Sequence, residues 1–266
     1  MRRRLDAELV RRGLTASRQR ALEEIAAGHV LVGGLPAQSA ARRVTADESI
    51  RVSGEGPRFV SRGGDKLEAA LDHFHLDVTG RRALDAGAST GGFTDCLLQA
   101  GAAHVVAVDV GRGQLAWSLR TDPRVTAFER TNVRNLAPDD ISGRVDLCTA
   151  DLSFISLSVC APALARCTTD DADLVLLVKP QFEAGRAQVG KGGVVRDASV
   201  HRSVVRRVRD GLAAAGIDAV AAMPSPLRGA DGNVEFFFHA RTDGAGTLGD
   251  EALDAAVDRA HTGAVS

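Results

Sequence analysis

A glycine-rich segment between an apolar stretch and a helical pattern constrains the fold of this chain more than any other feature. It reads Asp-Ala-Gly-Ala-Ser-Thr-Gly-Gly-Phe-Thr over residues 85–94. We predict that a strand over 82–85 enters this segment and that a helix begins near Thr94. Its glycines permit positive φ angles and let a ligand approach bare backbone. Free N–H groups at the start of the helix favour a polar or anionic ligand.

The next strand supports a cofactor site at this turn. It is predicted over 104–109 and ends in Asp109, about 20 residues after the first strand, where an acidic side chain accepts hydrogen bonds from ribose hydroxyls. The turn does not match Gly-x-Gly-x-x-Gly, and no Gly-Lys-Ser/Thr follows it. NAD and nucleoside triphosphates are therefore disfavoured, and the spacing predicts another nucleoside-containing cofactor. The alternative for the glycines alone is a purely structural strand-to-helix loop.

Strands and helices alternate over residues 61–241, which predicts an α/β fold with a mostly parallel, seven-stranded sheet covered by helices. The last two strands are expected to form an antiparallel hairpin at one edge. Residues 243–266 are rich in Gly, Ala and Asp and weakly periodic, so they are predicted to be a mobile tail or a marginal helix. The predicted strands are 82–85, 104–109, 124–128, 144–150, 173–179, 217–222 and 234–239.

Composition favours a soluble, cytoplasmic protein. Of the 266 residues, 44% are apolar and 25% charged, which suits one full domain plus a small module. The chain has no apolar run long enough to cross a membrane, and its start, Met1-Arg2-Arg3-Arg4, lacks a signal-peptide core. The four cysteines show no Cys-x-x-Cys pairing, so we expect buried free thiols and no metal site.

The N-terminal part of the chain is basic. Residues 1–60 carry 11 Lys/Arg against 7 Asp/Glu, a net charge of +4, whereas the rest carries 22 against 27, a net of −5. This asymmetry suggests that a small N-terminal module meets a polyanion. The alternative is a solvated helix face. Helices are predicted over 4–13 and 18–27, and the glycine/proline stretch 54–57 is the best candidate linker.

The N-terminal module resembles a known RNA-binding domain. The pattern Arg-Leu-Asp-x-x-Leu from residue 4, followed by Gly-Leu-x-x-Ser-Arg from residue 13, is similar to the S-four-type domain first known from a ribosomal protein. The resemblance implies two helices that present arginines to the phosphates and shape of folded RNA. We therefore expect an RNA-binding domain over 1–56, a linker over 57–60 and a second domain over 61–242.

Polar residues at strand ends carry the expected chemistry. Asp109 suits a ribose, Asn132 with the Val133 backbone suits an adenine edge, and Asp151 follows another strand. Lys179 ends an apolar strand, where a lysine is costly unless it faces a pocket and a carboxylate. Both residues also have a purely structural interpretation. Asp151 could be a helix cap, and Lys179 could lie at the sheet edge by chance. Glu235 lies inside an apolar strand, where a carboxylate is expected to pair with a lysine. Lys66, judged from its spacing alone, would be an ordinary surface residue.

Several motifs together resemble the TlyA family, which joins an S-four-type domain to an FtsJ-like, S-adenosylmethionine-dependent ribose methyltransferase. The resemblance implies methylation of the 2′-hydroxyl of cytidine in 16S or 23S ribosomal RNA. Arg112 departs from it, because relatives usually carry Tyr there. The matching segments are Ser-Arg-Gly-Gly-x-Lys-Leu (61–67), the glycine-rich turn (85–95), Thr-Asn-Val-Arg-Asn-Leu (131–136), Asp-Leu-Ser-Phe-Ile-Ser-Leu (151–157), Leu-Val-Lys-Pro-Gln-Phe-Glu (177–183), Lys-Gly-Gly-Val-Val-Arg-Asp (191–197) and Gly-Asn-Val-Glu-Phe (232–236).

The resemblance assigns roles to individual residues. Lys179 is expected to activate the ribose hydroxyl, assisted by Asp151, Lys66 and Glu235. Ribosomal RNA or ribosomal subunits are the expected partners, and we expect a monomer without metal or membrane attachment. The residues expected to bind S-adenosylmethionine are Asp85, Gly87, Ala88, Ser89, Thr90, Gly91, Gly92, Phe93, Asp109, Asn132 and Val133. The residues expected to bind RNA are Arg3, Arg4, Arg18, Arg20 and Arg62.

Two other functions stay open at this point. One is a ribosome-associated factor that binds RNA without catalysis, which the complete set of polar catalytic positions disfavours. The other is a membrane-active haemolysin, a name that relatives have also carried. No strong amphipathic apolar stripe in the sequence supports a pore.

Overall fold

The computed structural model describes residues 2–53, 58–185 and 188–262. The chain divides into two compact units, Met1–Pro57 and Arg58–Ser266. This division lies beside the predicted linker at 57–60, and the glycine/proline stretch 54–57 is outside the described residues. Each unit has its own apolar core.

The N-terminal unit packs two helices against short antiparallel strands. Strand β1 pairs with β4, and β2 pairs with both β3 and β5. Helix α2 begins after Ser17, whose side chain accepts the Arg20 N–H and caps the helix. The elements are β1 (Arg3–Arg4), α1 (Leu5–Arg11), α2 (Arg18–Ala26), β2 (Val30–Val32), β3 (Leu35–Pro36), β4 (Arg43–Val44) and β5 (Ile50–Val52).

The C-terminal unit is a sheet with helices packed on it. The strands are β6 (Arg82–Ala86), β7 (His104–Val108), β8 (Val125–Phe128), β9 (Val145–Ala150), β10 (Thr168–Val178), β11 (Asp218–Pro224) and β12 (Phe236–Arg241). The helices are α3 (Arg62–Phe74), α4 (Gly92–Gln99), α5 (Trp117–Arg120), α6 (Leu157–Cys167), α7 (Pro180–Glu183), α8 (Ala198–Ala213) and α9 (Asp250–Thr262). Short 3₁₀ turns lie at Val133–Asn135, Pro138–Ile141 and Ala230–Gly232.

Within the described residues the sheet has seven strands in the order β11-β12-β10-β9-β6-β7-β8. The five strands from β10 to β8 run parallel, whereas β12 pairs antiparallel with both β10 and β11. The predicted mostly parallel α/β sheet with an antiparallel hairpin at one edge is confirmed. The carboxyl ends of its parallel strands therefore meet along one edge, where ligands bind in such sheets.

Backbone hydrogen bonds join the segments that leave three of these strands. The Gly87 N–H, just after β6, donates to the Val108 carbonyl at the end of β7 over 2.8 Å. The Asp151 N–H, just after β9, donates to the Ala86 carbonyl over 2.9 Å. The glycine-rich turn is thus held between the ends of β7 and β9.

Of the two alternatives predicted for residues 243–266, the mobile tail is wrong for residues 250–262, which form helix α9. Leu253 and Val257 are fully buried and belong to the same apolar cluster as the inward face of α8. Arginines of α8 also pair with aspartates of α9: Arg206 Nη2 lies 2.7 Å from Asp254 Oδ2, and Arg209 Nη1 lies 2.7 Å from Asp250 Oδ1. One face of α9 is therefore part of the core, and its aspartates form ion pairs with the arginines of α8.

All four cysteines are buried and free, as predicted from their spacing. Burial raises the pKa of the Cys160 and Cys167 thiols to about 11. Thiols with such a raised pKa are poor nucleophiles at neutral pH, so the cysteines act as small apolar core residues.

Candidate active site

Two lysine–carboxylate pairs lie at the carboxyl ends of the strands. Lys179 Nζ is 2.5 Å from Asp151 Oδ1, and Lys66 Nζ is 2.7 Å from Glu235 Oε2. The side chains are largely buried: the exposed fractions are 12% for each lysine and 2% for Glu235. The structure thus brings together the four residues that the sequence marked as catalytic, although they come from four separate parts of the chain.

The position of Lys179 follows from the sheet. Strand β10 is apolar and buried from Leu174 to Val178, and the lysine is the first residue after it. Its ammonium reaches both Asp151 and the Ser153 hydroxyl, which lies 3.1 Å from Nζ. Both partners follow the neighbouring strand β9, so the parallel pairing of β9 and β10 sets this contact.

Glycine is required at two points of the glycine-rich turn. Gly87 has a φ of +88°, and a Cβ there would lie 2.6 Å from the Asp151 carbonyl oxygen. Gly91 has a φ of +98°, and a Cβ there would lie 2.3 Å from Leu119 Cδ1. A side chain at either position would clash with its neighbour and strain the backbone. The helix after this turn begins at Gly92, two residues before the predicted start.

Asp85 lies beneath the turn, fully buried. The Thr94 hydroxyl donates to its Oδ2 over 2.6 Å, and the Thr149 hydroxyl lies 3.4 Å from its Oδ1. Burial, together with the nearby Asp151 charge, raises the pKa of Asp85 to about 7, against the hydrogen bonds from Thr94 and Thr149. These contacts join β6 to α4 and β9, so they shape the turn. Direct contact between Asp85 and a cofactor stays a prediction.

Asp109 ties two loops together at the end of β7. Its Oδ2 accepts the Ser89 N–H over 2.8 Å, and its Oδ1 accepts the Gly111 N–H over 2.6 Å. Each carboxylate oxygen can accept a second hydrogen bond, so the group retains acceptor capacity for ribose hydroxyls.

Asp109 lines a cavity of about 490 Å³ that opens beside the turn. Asn132 lies in the same wall, where its Oδ1 accepts the Arg134 N–H over 3.0 Å and caps the short turn that begins at Val133. The cavity is mixed in character, with polar groups at strand ends and apolar side chains between them. The predicted cofactor residues in its wall are Gly87, Ser89, Asp109, Asn132 and Val133, and Asp151 borders it as well.

A smaller cavity of about 240 Å³ adjoins the first and is lined by two of the four predicted catalytic residues. Lys66 and Asp151, one member of each ion pair, both line it, and Gly87 and Ser89 border both cavities. Its wall also holds Arg62, at the start of α3. The remaining predicted residues in this wall are Ala88, Thr90, Gly92 and Phe93.

Four further residues contact the site and were missed in the sequence. Ser153 contacts Lys179, and Gln181 Nε2 lies 3.3 Å from Glu235 Oε1. A Cβ on Gly229 would lie 2.0 Å from Glu235 Oε1, so this glycine lets the backbone cover the carboxylate. Phe154 is 90% exposed, has a φ of +63° and stacks on Phe182 at 4.8 Å. The sequence did offer a signal for three of them, because the family motifs at 151–157 and 177–183 contain Ser153, Phe154 and Gln181.

The N-terminal arginines differ in their surroundings. Arg4 and Arg18 both pair with Asp6, at 3.0 and 2.9 Å, and the hydrogen bond from Arg4 leads the effects that hold the pKa of Asp6 well below its usual range. Arg20 pairs with Glu23 and Glu24. Arg3 is exposed and makes no ion pair within residues 2–53. The arginines are thus partly engaged in holding the unit together, a role that charge counting alone missed.

Comparison with known proteins places this geometry in a family. The sequence model of FtsJ-like methyltransferases matches residues 59–242, and that of the S4 domain matches residues 3–50. The 16S/23S rRNA (cytidine-2′-O)-methyltransferase TlyA of Mycobacterium tuberculosis is 55% identical over 97% of this chain and 96% of its own length. The chain belongs to the TlyA family.

Two other relatives carry a different description. Hemolysin A of Brachyspira hyodysenteriae is 38% identical to this TlyA-family chain, over 89% of the chain and 98% of its own length. A solved Streptococcus thermophilus structure, provisionally described as a hemolysin, is 40% identical with a TM-score of 0.79, covering 98% of this chain and 96% of its own. Across residues 2–53, 58–185 and 188–262, no helix of this TlyA-family protein combines the length and apolar character needed to cross a bilayer.

The site contains no evident metal centre in the part of the chain that the structure describes. There, no group of three or more His, Cys, Asp and Glu side chains is arranged to hold a metal ion.

Proposed function

We propose that this protein transfers a methyl group from S-adenosylmethionine to the ribose 2′-hydroxyl of a cytidine in 16S or 23S ribosomal RNA. The choice of nucleotide rests on the name of the M. tuberculosis relative, and the chemistry rests on the site. The observation that carries the proposal is the contact between Lys179 and Asp151, beside the glycine-rich turn.

The residues around the larger cavity fit S-adenosylmethionine. Gly87 presents bare backbone in the cavity wall, Asp109 offers carboxylate oxygens to ribose hydroxyls, and Asn132 lies in the wall suited to the adenine. When bound, the cofactor supplies a methyl group on a positively charged sulfur. The chain's own part is to hold that group and the hydroxyl in line, because alignment contributes much of the rate of such transfers.

Lys179 acts on the hydroxyl. A ribose hydroxyl holds its proton tightly at neutral pH, so its oxygen attacks the methyl carbon only as the proton leaves. We assign the proton to Lys179 Nζ, which accepts it as the neutral amine and so becomes the ammonium that pairs with Asp151. Asp151 and Ser153 hold this nitrogen in place at 2.5 and 3.1 Å. Lys66, fixed by Glu235 and lining the smaller cavity, is placed to hold the substrate.

The N-terminal unit and Arg62 supply RNA binding in this proposal. Arg62 is exposed at the wall of the smaller cavity, and Arg3 is exposed on the N-terminal unit. Arginines bind RNA phosphates through charge and paired hydrogen bonds. Phe154 adds an exposed aromatic face beside the larger cavity, suited to stacking on a base. Such a substrate places the protein in the cytoplasm with the ribosome, and a monomer remains our prediction.

The test uses tritiated S-adenosylmethionine with small and large ribosomal subunits from cells that lack the modification. Label on a cytidine ribose, mapped by mass spectrometry, is the expected result for the wild type. Lys179→Ala should bind the cofactor normally by calorimetry and transfer no methyl. Lys179→Arg keeps the positive charge but not a base, so it separates proton transfer from charge.

Two outcomes would contradict the proposal. Absence of label on either subunit and on naked ribosomal RNA, with cofactor binding intact, would reject ribosomal RNA as the substrate and favour a binding-only factor. Full activity of Lys179→Ala would reject the assigned proton acceptor. Liposome leakage that persists in Lys179→Ala at matched protein concentration would instead support a lytic role.

A further inference from the structure

Helix α7, a single turn from Pro180 to Glu183, contacts both ion pairs of the site. It begins directly after Lys179, so the lysine that pairs with Asp151 is its cap residue. Its second residue, Gln181, donates to Glu235, the carboxylate of the other pair, over 3.3 Å. The position of this turn therefore affects all four catalytic side chains.

The far end of the turn is anchored by Glu183. Its Oε1 accepts the Leu157 N–H over 2.7 Å, at the first residue of α6. The Ser156 hydroxyl also hydrogen-bonds to this carboxylate. Burial raises the pKa of Glu183, and the hydrogen bonds from Ser156 and Leu157 act in the opposite direction. The carboxylate thus occupies the start of a helix, where free N–H groups stabilise an acceptor.

The Glu183 contact is one of three that join the segment 151–157 to the segment 179–183. The segment 151–157 carries Asp151 and Ser153, which hold the ammonium of Lys179. The rings of Phe154 and Phe182 form a second contact between the same segments. Glu183 forms the third, at the opposite end from the lysine. Its own carbonyl accepts a hydrogen bond from Arg207 of α8, which ties the turn to a long helix.

We propose that Glu183 is a positioning residue for methyl transfer: it fixes α7 to the start of α6 and so holds Lys179 against Asp151 and Ser153. It does not line either cavity wall described above and acts through the lysine. The inference rests on the proposed function for its kinetic consequence, whereas its structural consequence is independent of the reaction. A misplaced catalytic group is expensive, since an error of about 1 Å costs on the order of 10²-fold in rate.

The kinetic test compares three variants with the wild type. Glu183→Ala removes the acceptor, and we expect kcat to fall on the order of 10²-fold while the Kd for S-adenosylmethionine stays within about twofold. Glu183→Gln keeps an oxygen that accepts the Leu157 N–H, so it should retain most of kcat. Asp197→Ala is the matched control, because Asp197 likewise caps a helix by accepting the Ser199 N–H over 2.8 Å, but in α8. It should lower stability without lowering kcat.

A second measurement does not depend on activity. The chain has lysines at 66, 179 and 191 only, so ¹⁵N-lysine NMR of the ammonium groups gives few signals, assignable with lysine-to-arginine variants. In Glu183→Ala the Lys179 signal should shift, and in Glu183→Gln and Asp197→Ala it should not.

The outcomes separate the two proposals. An unchanged Lys179 signal in Glu183→Ala overturns the positioning role, as does an equal loss of kcat in Glu183→Ala and Asp197→Ala. A wild-type protein that methylates no ribosomal RNA rejects the proposed function, and the NMR arm then decides the positioning role alone. If Glu183→Ala fails to fold, Glu183→Asp replaces it, because the side chain is one methylene shorter and withdraws its oxygen from the Leu157 N–H. The Lys179 signal should shift in this variant, and an unchanged signal overturns the positioning role.

Discussion

Lys66 and Glu235 are separated by 169 residues in the chain, yet Lys66 Nζ lies 2.7 Å from Glu235 Oε2. The lysine comes from α3, before the first strand of the large sheet, and the glutamate immediately precedes the last strand, β12. The pair therefore joins an early and a late part of the methyltransferase fold, and its lysine lines the smaller cavity. Substituting either Lys66 or Glu235 is therefore expected to change both the stability of the fold and the rate of methyl transfer.

Lys66→Met should lower the free energy of unfolding by about 3–5 kcal/mol, because it leaves the buried Glu235 carboxylate without its cation. The double variant Lys66→Met/Glu235→Leu should cost less than the sum of the two single changes. Urea unfolding of the four proteins measures this coupling. The control is the exposed pair Arg144–Asp170, at 3.0 Å, whose coupling should stay below about 1 kcal/mol. Additive single changes at Lys66 and Glu235 would contradict the prediction.

Gly87→Ala should abolish cofactor binding and destabilise the fold. The new Cβ would lie 2.6 Å from the Asp151 carbonyl oxygen, in addition to the strain of a φ of +88°. The control is Gly80→Ala, where φ is +75° and no atom lies within 4 Å, so only backbone strain of about 1–2 kcal/mol applies. Calorimetry with S-adenosylmethionine and thermal melts compare the two. Equal effects at both glycines would show that contact with Asp151 is unimportant.

Asp85→Asn should change how stability depends on pH. The raised pKa of about 7, against an ordinary value of 3.8, means that the folded state holds this proton more tightly than the unfolded state. The protonated Asp85 therefore contributes its full stabilisation below the unfolded pKa. That contribution falls as pH rises through about 4 to 7, by up to about 1.4 kcal/mol per pH unit.

Urea midpoints of wild type and Asp85→Asn across this pH range give the comparison. His201, whose pKa is lowered to about 4 mainly by burial, changes stability in the opposite direction over part of the range in both proteins. The difference in stability between the two proteins at each pH isolates the effect of Asp85. The wild type should gain stability relative to Asp85→Asn as pH falls from about 7 to 4. Parallel profiles would mean that Asp85 titrates normally.

Leu253→Ala should cost about 2–5 kcal/mol, because the side chain is fully buried between α9 and the apolar cluster of α8. Glu251→Ala, exposed in the same helix, should change stability by less than about 0.5 kcal/mol. Chemical denaturation measures both. A neutral Leu253→Ala would favour the mobile tail that the sequence suggested.

Sequence reasoning located the sheet well and the C-terminal helix poorly, for one physical reason. Strand β7 and the second half of β10 are buried apolar runs bounded by polar or turn residues, and such runs report burial directly. Helix α9 buries only Leu253 and Val257 as large residues, with Ala256 and Ala260 between turns. This stripe is too weak to recognise alone, and it is buried because α8 supplies a complementary apolar face and arginines for its aspartates.

The positions of the strands along the chain, the need for glycine in the turn and the residue types available for catalysis were determined by the sequence alone, since each depends on local patterns or on motifs that resemble a family. The tertiary structure decided which lysine pairs with which carboxylate, that Asp85 lies buried beneath the turn, and that Glu183 joins α7 to α6. These depend on contacts between segments far apart in the chain. Such contacts form only when parallel strands bring their carboxyl ends to one edge, and no local pattern of residues records that proximity.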